Sequence, residues 1–149
     1  HAKDRRQRQM CIRDSCSADG DIKIWQVGCC QSLRTLRGHS GDVYSVAFSS
    51  DGKAIASGGA DKTIKLWDVD TGELVNIFEG HSRAVLSVAI SPDDQILASG
   101  SIDGTVKLWN LQSGKLLDSL CGYHPVQFSP NGKTLVSGGE EGRMLIWRL

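Results

Sequence analysis

The chain has 149 residues, 40% of them hydrophobic and 23% charged, with 17 basic and 17 acidic side chains in balance at neutral pH. That is the size and make-up of one ordinary folded domain, not of a disordered segment. No apolar run approaches the roughly 20 residues of a membrane helix, and the first residues lack the apolar stretch of a secretory leader, so neither is expected.

Residues 1–14 hold Lys3, Arg5, Arg6, Arg8 and Arg13 against Asp4 and Asp14. Setting these aside leaves 12 of the 17 basic and 15 of the 17 acidic side chains from Ser15 onward, a net charge of −3. A nucleic-acid surface needs a basic stripe on the folded part, so no nucleic-acid partner is expected. The stretch "RRQRQMCIRD", Arg5 to Asp14, resembles the in-frame translation of a transposase adapter used in preparing sequencing libraries, and all ten residues match. Residues 1–14 are therefore read as a non-native, adapter-derived tail and excluded from the fold. Were they a natural basic arm, nucleic-acid binding would reopen.

From Ser15 the chain repeats itself, which decides the fold class. Tryptophans fall at Trp25, Trp67, Trp109 and Trp147, spaced by 42, 42 and 38 residues. A partial copy, "SCSADGDIKIWQ" from Ser15, precedes two full ones: "GHSGDVYSVAFSSDGKAIASGGADKTIKLWD" from Gly38 and "GHSRAVLSVAISPDDQILASGSIDGTVKLWN" from Gly80. The last copy, "CGYHPVQFSPNGKTLVSGGEEGRMLIWR" from Cys121, is four residues shorter where it enters its first strand. Short alternating apolar runs, divided by turn residues about every eight to twelve positions, are the mark of small antiparallel strands. One unit reads as strand a (Val43–Phe48), strand b (Lys53–Ser57), strand c (Thr63–Asp68) and strand d (Leu74–Phe78). The turns "SSDG", "SPDD" and "SPNG" join a to b, and "VDTGE" and "LQSGK" join c to d. No segment keeps a helical period. The five cysteines, Cys11, Cys16, Cys29, Cys30 and Cys121, are odd in number and contain no C-x-x-C pair, so neither a disulfide framework nor a zinc site is expected.

Gly38-His39 with Trp67-Asp68, and Gly80-His81 with Trp109-Asn110, each with an aspartate six residues before the tryptophan, resemble the WD-repeat family over about Ser15 to Leu149. The resemblance implies an all-β fold, a β-propeller with four-stranded blades. The expected form is an incomplete open arc with two full four-stranded blades and two partial blades. Residues 15–37 supply strands b-c-d of the first, 38–79 and 80–120 the full blades, and 121–149 strands a-b-c of a shortened last blade. Such an arc, a fragment of a propeller, is expected to expose an apolar side on the Cys16–Trp25 blade and another on the Val126–Trp147 blade, and to self-associate through them. The turns and the near-uniform period resemble bacterial arrays of this family.

The resemblance also implies a buried hydrogen-bonded chain in each blade, from the Trp indole through Ser and His to Asp. The residues are His39, Ser57, Asp61 and Trp67, then His81, Ser99, Asp103 and Trp109. The first blade offers Ser15, Asp19 and Trp25 without a His. The last offers Ser137, Glu141 and Trp147, with Glu in place of Asp and Tyr123 or His124 near the missing His. A Ser, a His and an Asp also suit nucleophilic catalysis, but the set recurs in every copy and the indole occupies the hydroxyl, so no catalytic residue is assigned. "SGGADKT" lacks the Gly-Lys-Ser/Thr ending of a phosphate loop. His39 and His81 lie a full repeat apart, which does not suit shared metal ligation. No cofactor and no metal are expected.

A non-enzymatic, cytoplasmic scaffold that binds proteins or peptides is the function the resemblance implies. Partners of such propellers dock on the rim formed by d-to-a loops and b-to-c turns. Here that rim is Ser40, Asp42 and Tyr44, then Ser82, Arg83 and Leu86, with Ala60, Ile102 and Glu140 before the turn acids; Asp42, Tyr44 and Arg83 are the foremost candidates. The alternative is the regulatory C-terminal propeller of a larger signalling kinase or NTPase, and a propeller hydrolase or dehydrogenase is the least favoured.

Overall fold

The computed structural model describes residues 20–25, 28 and 31–149. The tail of residues 1–14, together with Ser15 and Asp19, lies outside the described residues. Among the described residues the fold is all-β. Strands β1 (Ile22–Trp25) and β2 (Ser32–Leu36) form one sheet. The second runs β3 (Val43–Phe48), β4 (Ala54–Gly59), β5 (Ile64–Asp68) and β6 (Leu74–Phe78). The third runs β7 (Val85–Ile90), β8 (Ile96–Ser101), β9 (Thr105–Asn110) and β10 (Leu116–Cys121), and the fourth β11 (Tyr123–Phe128), β12 (Thr134–Gly138) and β13 (Met144–Arg148). Each sheet is an antiparallel meander, and β3, β7 and β11 lie beside one another as the inner strands of consecutive sheets. The result is an open arc of propeller blades, two of them four-stranded. No helix among the described residues is long and apolar enough to cross a membrane.

The core lies between sheets. Ile22, Ile24 and Leu36 pack on Val43, Ile55, Trp67 and Val69 of the next blade. Ile64, Leu66 and Phe78 meet Val85, Val88, Leu97, Trp109 and Leu111 in the same way, and Val106 and Leu108 meet Val126, Phe128 and Leu135. Trp67, Trp109 and Trp147 thus reach back toward the preceding blade; Phe78 meets the Trp109 ring edge-on, with centroids 5.8 Å apart. Strands covered on both faces must be thin, which is why the second strand of a blade is built from Ala, Ser and Gly. A Cβ on Gly58 would come within 2.7 Å of Val85 Cγ1.

Three strand limits differ from the sequence reading. β4 starts at Ala54 and extends through Gly59, and β5 starts at Ile64. The Lys53 N–H donates to Asp51 Oδ1 at 2.9 Å, so Lys53 belongs to the turn, and β4 runs on because Gly58 and Gly59 still pair with Ser45 and Val43; beside the start of β5 the Thr63 N–H donates to Asp61 Oδ1 at 3.2 Å. A 3-10 turn at Glu140–Gly142 was also not foreseen.

Blades are tied together by polar contacts as well. The Ser45 hydroxyl accepts from the Val88 N–H at 3.2 Å, and that of Ser87 from the Val126 N–H at 3.1 Å. Arg34 of β2 donates to the Thr71 and Asp70 carbonyls in the next blade, at 2.8 and 2.6 Å. In the a-to-b turns, Gly52 and Gly132 adopt φ of 70° and 72°, whereas the middle turn holds Asp94 at φ 58°. The Asp94 carboxylate accepts from the Ser50 N–H and hydroxyl of the neighbouring blade, at 2.8 and 2.7 Å, which offsets its left-handed backbone.

An exposed apolar side is found on the last blade but not among the described residues of the first, of which Cys16 is not one. Ile22 and Ile24 are buried against the second blade, and Trp25 is half-buried. On the last blade Val126, Phe128 and Leu135 are buried, while Met144 and Ile146 are 71% and 67% exposed.

Candidate functional site

The two full blades repeat one constellation. In the first, the Trp67 Nε1–H donates to Ser57 Oγ at 2.8 Å, Ser57 Oγ lies 2.7 Å from His39 Nε2, and His39 Nδ1 lies 2.9 Å from Asp61 Oδ2. In the second, Trp109, Ser99, His81 and Asp103 are joined at 2.9, 2.7 and 2.9 Å. Ser57 and Ser99 are fully buried. β4 and β5 bring Ser57 and Trp67 together through their antiparallel register, and the loop before β3 swings His39 back over both.

Burial lowers the pKa of His39 and His81, outweighing the hydrogen bonds and charges of Asp61 and Asp103 that act to raise it. Both rings are therefore neutral at pH 7, with Nδ1–H donating to the carboxylate and Nε2 accepting from the serine hydroxyl. The contacts are hydrogen bonds between a neutral ring and a carboxylate. Burial pushes Asp61 and Asp103 up, but hydrogen bonds from Thr63 and His39, and from Thr105 and His81, prevail; Asp61 is held below its ordinary value and Asp103 falls to about 2.

Sequence reasoning missed the threonines. Thr63 Oγ1 donates to Asp61 Oδ1 at 2.8 Å, and Thr105 Oγ1 to Asp103 Oδ1 at 2.6 Å. The backbone N–H groups of Ser40 and Ser82 add bonds of 3.2 and 3.1 Å to the other carboxylate oxygens. The signal was present, since "DKT" and "DGT" place a threonine two residues after each aspartate.

The last blade keeps only part of the set. The Trp147 Nε1–H donates to Ser137 Oγ at 3.0 Å. Glu141 is not brought to Ser137: it sits in the 3-10 turn at φ 55°, its side chain is exposed, and Arg143 lies 3.8 Å away. Neither Tyr123 nor His124 replaces the histidine. Gly122 alone separates β10 from β11, leaving no loop to carry an imidazole, and a Cβ on Gly122 would lie 2.9 Å from Ser137 Oγ. The Tyr123 ring lies over Gly104, and His124 is exposed.

The loop and turn residues converge at one end of each blade. The Ala60 N–H donates to the Asp42 carbonyl at 2.8 Å, and the Ile102 N–H to the Ala84 carbonyl at 3.3 Å. Ser40, Asp42, Tyr44, Ser82, Arg83, Ile102 and Glu140 are exposed, and Ala60 and Leu86 are half-buried. Cys121, the cysteine among the described residues, is free and exposed.

A family model described as WD domain, G-beta repeat matches residues 30–68, 72–110 and 117–148. The chain belongs to the WD-repeat family. No curated protein matches it. Each WD-repeat match starts before the outer strand of one blade, or within it, and ends in or just after the third strand of the next; residues 30–68, for example, run from before β2 to the end of β5. The repeat thus straddles two sheets and links neighbouring blades covalently. WD repeats generally mediate protein–protein interaction and are typically non-catalytic.

Proposed function

We propose that this WD-repeat arc is a non-catalytic scaffold that binds protein or peptide partners on the rim carrying Asp42, Tyr44 and Arg83. The observation that carries this reading is the full engagement of Ser57 and Ser99. Each hydroxyl accepts an indole N–H and faces a neutral histidine whose other nitrogen is committed to a carboxylate. A nucleophile needs an approachable oxygen and an available base, whereas these groups are buried in duplicate. What faces solvent is a guanidinium and a carboxylate on short loops and an aromatic ring at the start of β3, all held by the sheets, the arrangement from which specific contacts are made.

The test is a selection of peptides from a random display library on the full chain, followed by titration of the enriched sequences. Tyr44→Ala and Arg83→Ala should each weaken binding at least tenfold, while Val75→Thr on the outer edge should leave it unchanged. Binding indifferent to both rim substitutions would overturn the assignment.

A further inference from the structure

One side-chain oxygen organises each a-to-b turn. Oδ1 of Asp51, Asp93 or Asn131 accepts from the serine hydroxyl two residues before it, at 2.6, 2.5 and 2.7 Å, and from the N–H two residues after it, at 2.9, 3.1 and 3.0 Å. The last turn alone puts an asparagine in this place, and a glycine follows it. A backbone N–H can only donate, so the Asn131 atom facing the Lys133 N–H is the carbonyl oxygen. The amide nitrogen of Asn131 makes no hydrogen bond among the described residues, and the residue is exposed.

From this we infer that Asn131 is a self-modification site, at which the Gly132 nitrogen attacks the side-chain amide and the asparagine becomes an aspartate. The bond to the Lys133 N–H folds Asn131 forward and closes a ring that contains both Cγ and the Gly132 nitrogen. Gly132 has no side chain to hinder the approach. The two donors on Oδ1 stand where negative charge gathers as Cγ becomes tetrahedral. The Gly132 N–H is held by the Ser129 carbonyl at 2.9 Å, and this surface bond opens first. A bond then forms from the Gly132 nitrogen to Cγ, the bond from Cγ to Nδ2 breaks, and ammonia leaves with the proton that Gly132 gives up. Water opens the resulting succinimide at either carbonyl, giving α-linked or β-linked aspartate. The α-linked product fits, since Asp51 and Asp93 make the same two bonds in their own turns. The β-linked product adds a carbon to the main chain and breaks the turn. The other two asparagines lack the arrangement. Asn110 accepts from the Gln112 N–H at 3.1 Å, but buried Leu111 follows it, with its own N–H donating to the Gln95 carbonyl. Asn76 lies within β6 and precedes the branched Ile77.

The experiment holds the full chain folded at pH 8 for several weeks and maps its peptides by mass spectrometry beside a sample unfolded in urea. In the folded sample the peptide carrying Asn131 should gain the mass of an amide-to-acid exchange at least tenfold faster than those carrying Asn76 and Asn110, and Asn131→Gln should abolish the gain. Asn131→Asp should melt with the wild type, because the turn accepts the α-linked product. Asn131 intact in the folded chain after the unfolded one has converted overturns the inference, and so does conversion of Asn76 or Asn110 at a comparable rate. A lower melting temperature for Asn131→Asp refutes the fit of the product. The turn lies at the end of the blade away from the rim, so peptide binding does not depend on any of these outcomes.

Discussion

Ser57 Oγ stands 2.8 Å from the Trp67 indole nitrogen and joins two strands and a loop at one buried point. Truncating it to alanine leaves the indole N–H and the His39 Nε2 without partners in the buried interior of the blade. A buried polar group left unpaired costs about 1–3 kcal/mol. Ser57→Ala should therefore lower the unfolding free energy by about 2–4 kcal/mol, read from urea titrations, with Ser99→Ala equivalent. Ser137→Ala should cost only about 1 kcal/mol, because Ser137 serves a half-buried Trp147 and no histidine.

Acid should destabilise the protein in two stages. Burial holds His39 and His81 below the ordinary histidine value of about 6.5. The unfolded chain therefore takes up protons that the folded one refuses, and stability falls as pH drops below about 6.5. Asp61 and Asp103 are also depressed, Asp103 to about 2, so a second loss sets in below about pH 4 as the unfolded carboxylates protonate first. Melting temperatures recorded from pH 8 to pH 3 should be flat above pH 7.5 and then fall in these two steps. Replacing both His39 and His81 with Gln should remove the first.

Blade contact leaves no room at Gly58. Its backbone is ordinary extended strand, so alanine would be tolerated conformationally, but the new methyl would meet Val85 Cγ1 at 2.7 Å and Val88 Cγ1 at 3.0 Å. Gly58→Ala should cost about 1–3 kcal/mol through overpacking. The double variant Gly58→Ala with Val85→Ala should recover part of that loss if the clash between blades is its cause.

Asp94 separates backbone strain from side-chain bonding. Asp94→Gly relieves the left-handed conformation but loses the bonds to Ser50, so the two effects should nearly cancel, within about 0.5 kcal/mol. Asp94→Ala keeps the strain and loses the bonds, and should cost about 1–2 kcal/mol. Paired denaturation curves for the two variants check the difference.

Much of this was legible because a period of 42 residues repeats both the apolar alternation and the polar spacing. The strands from Val43 to Phe48 and from Leu74 to Phe78 are bounded by glycine and aspartate turns that any reader can mark. Features that depend on a neighbouring blade were not legible. The Asp94–Ser50 contact, the reach of Arg34 to Thr71 and the pressure of Val85 on Gly58 join residues far apart in the chain. That Ile22 and Ile24 of the first blade point forward onto the second was not legible either, because facing is set by strand parity rather than by position at the end of the arc. In the last blade, the loss of four residues removes the loop that would carry a histidine, and only the placement of Gly122 reveals what fills the space.

The account rests on neutral, fully engaged histidines, and the nitrogen chemical shifts of His39 and His81 report on that directly. Long-range nitrogen–proton spectra at pH 7 should show both rings as the neutral Nδ1–H tautomer, with the Trp67 and Trp109 indole protons slow to exchange and becoming fast in Ser57→Ala and Ser99→Ala respectively. Imidazolium rings at pH 7, or indole protons that exchange freely in the wild type, would contradict it.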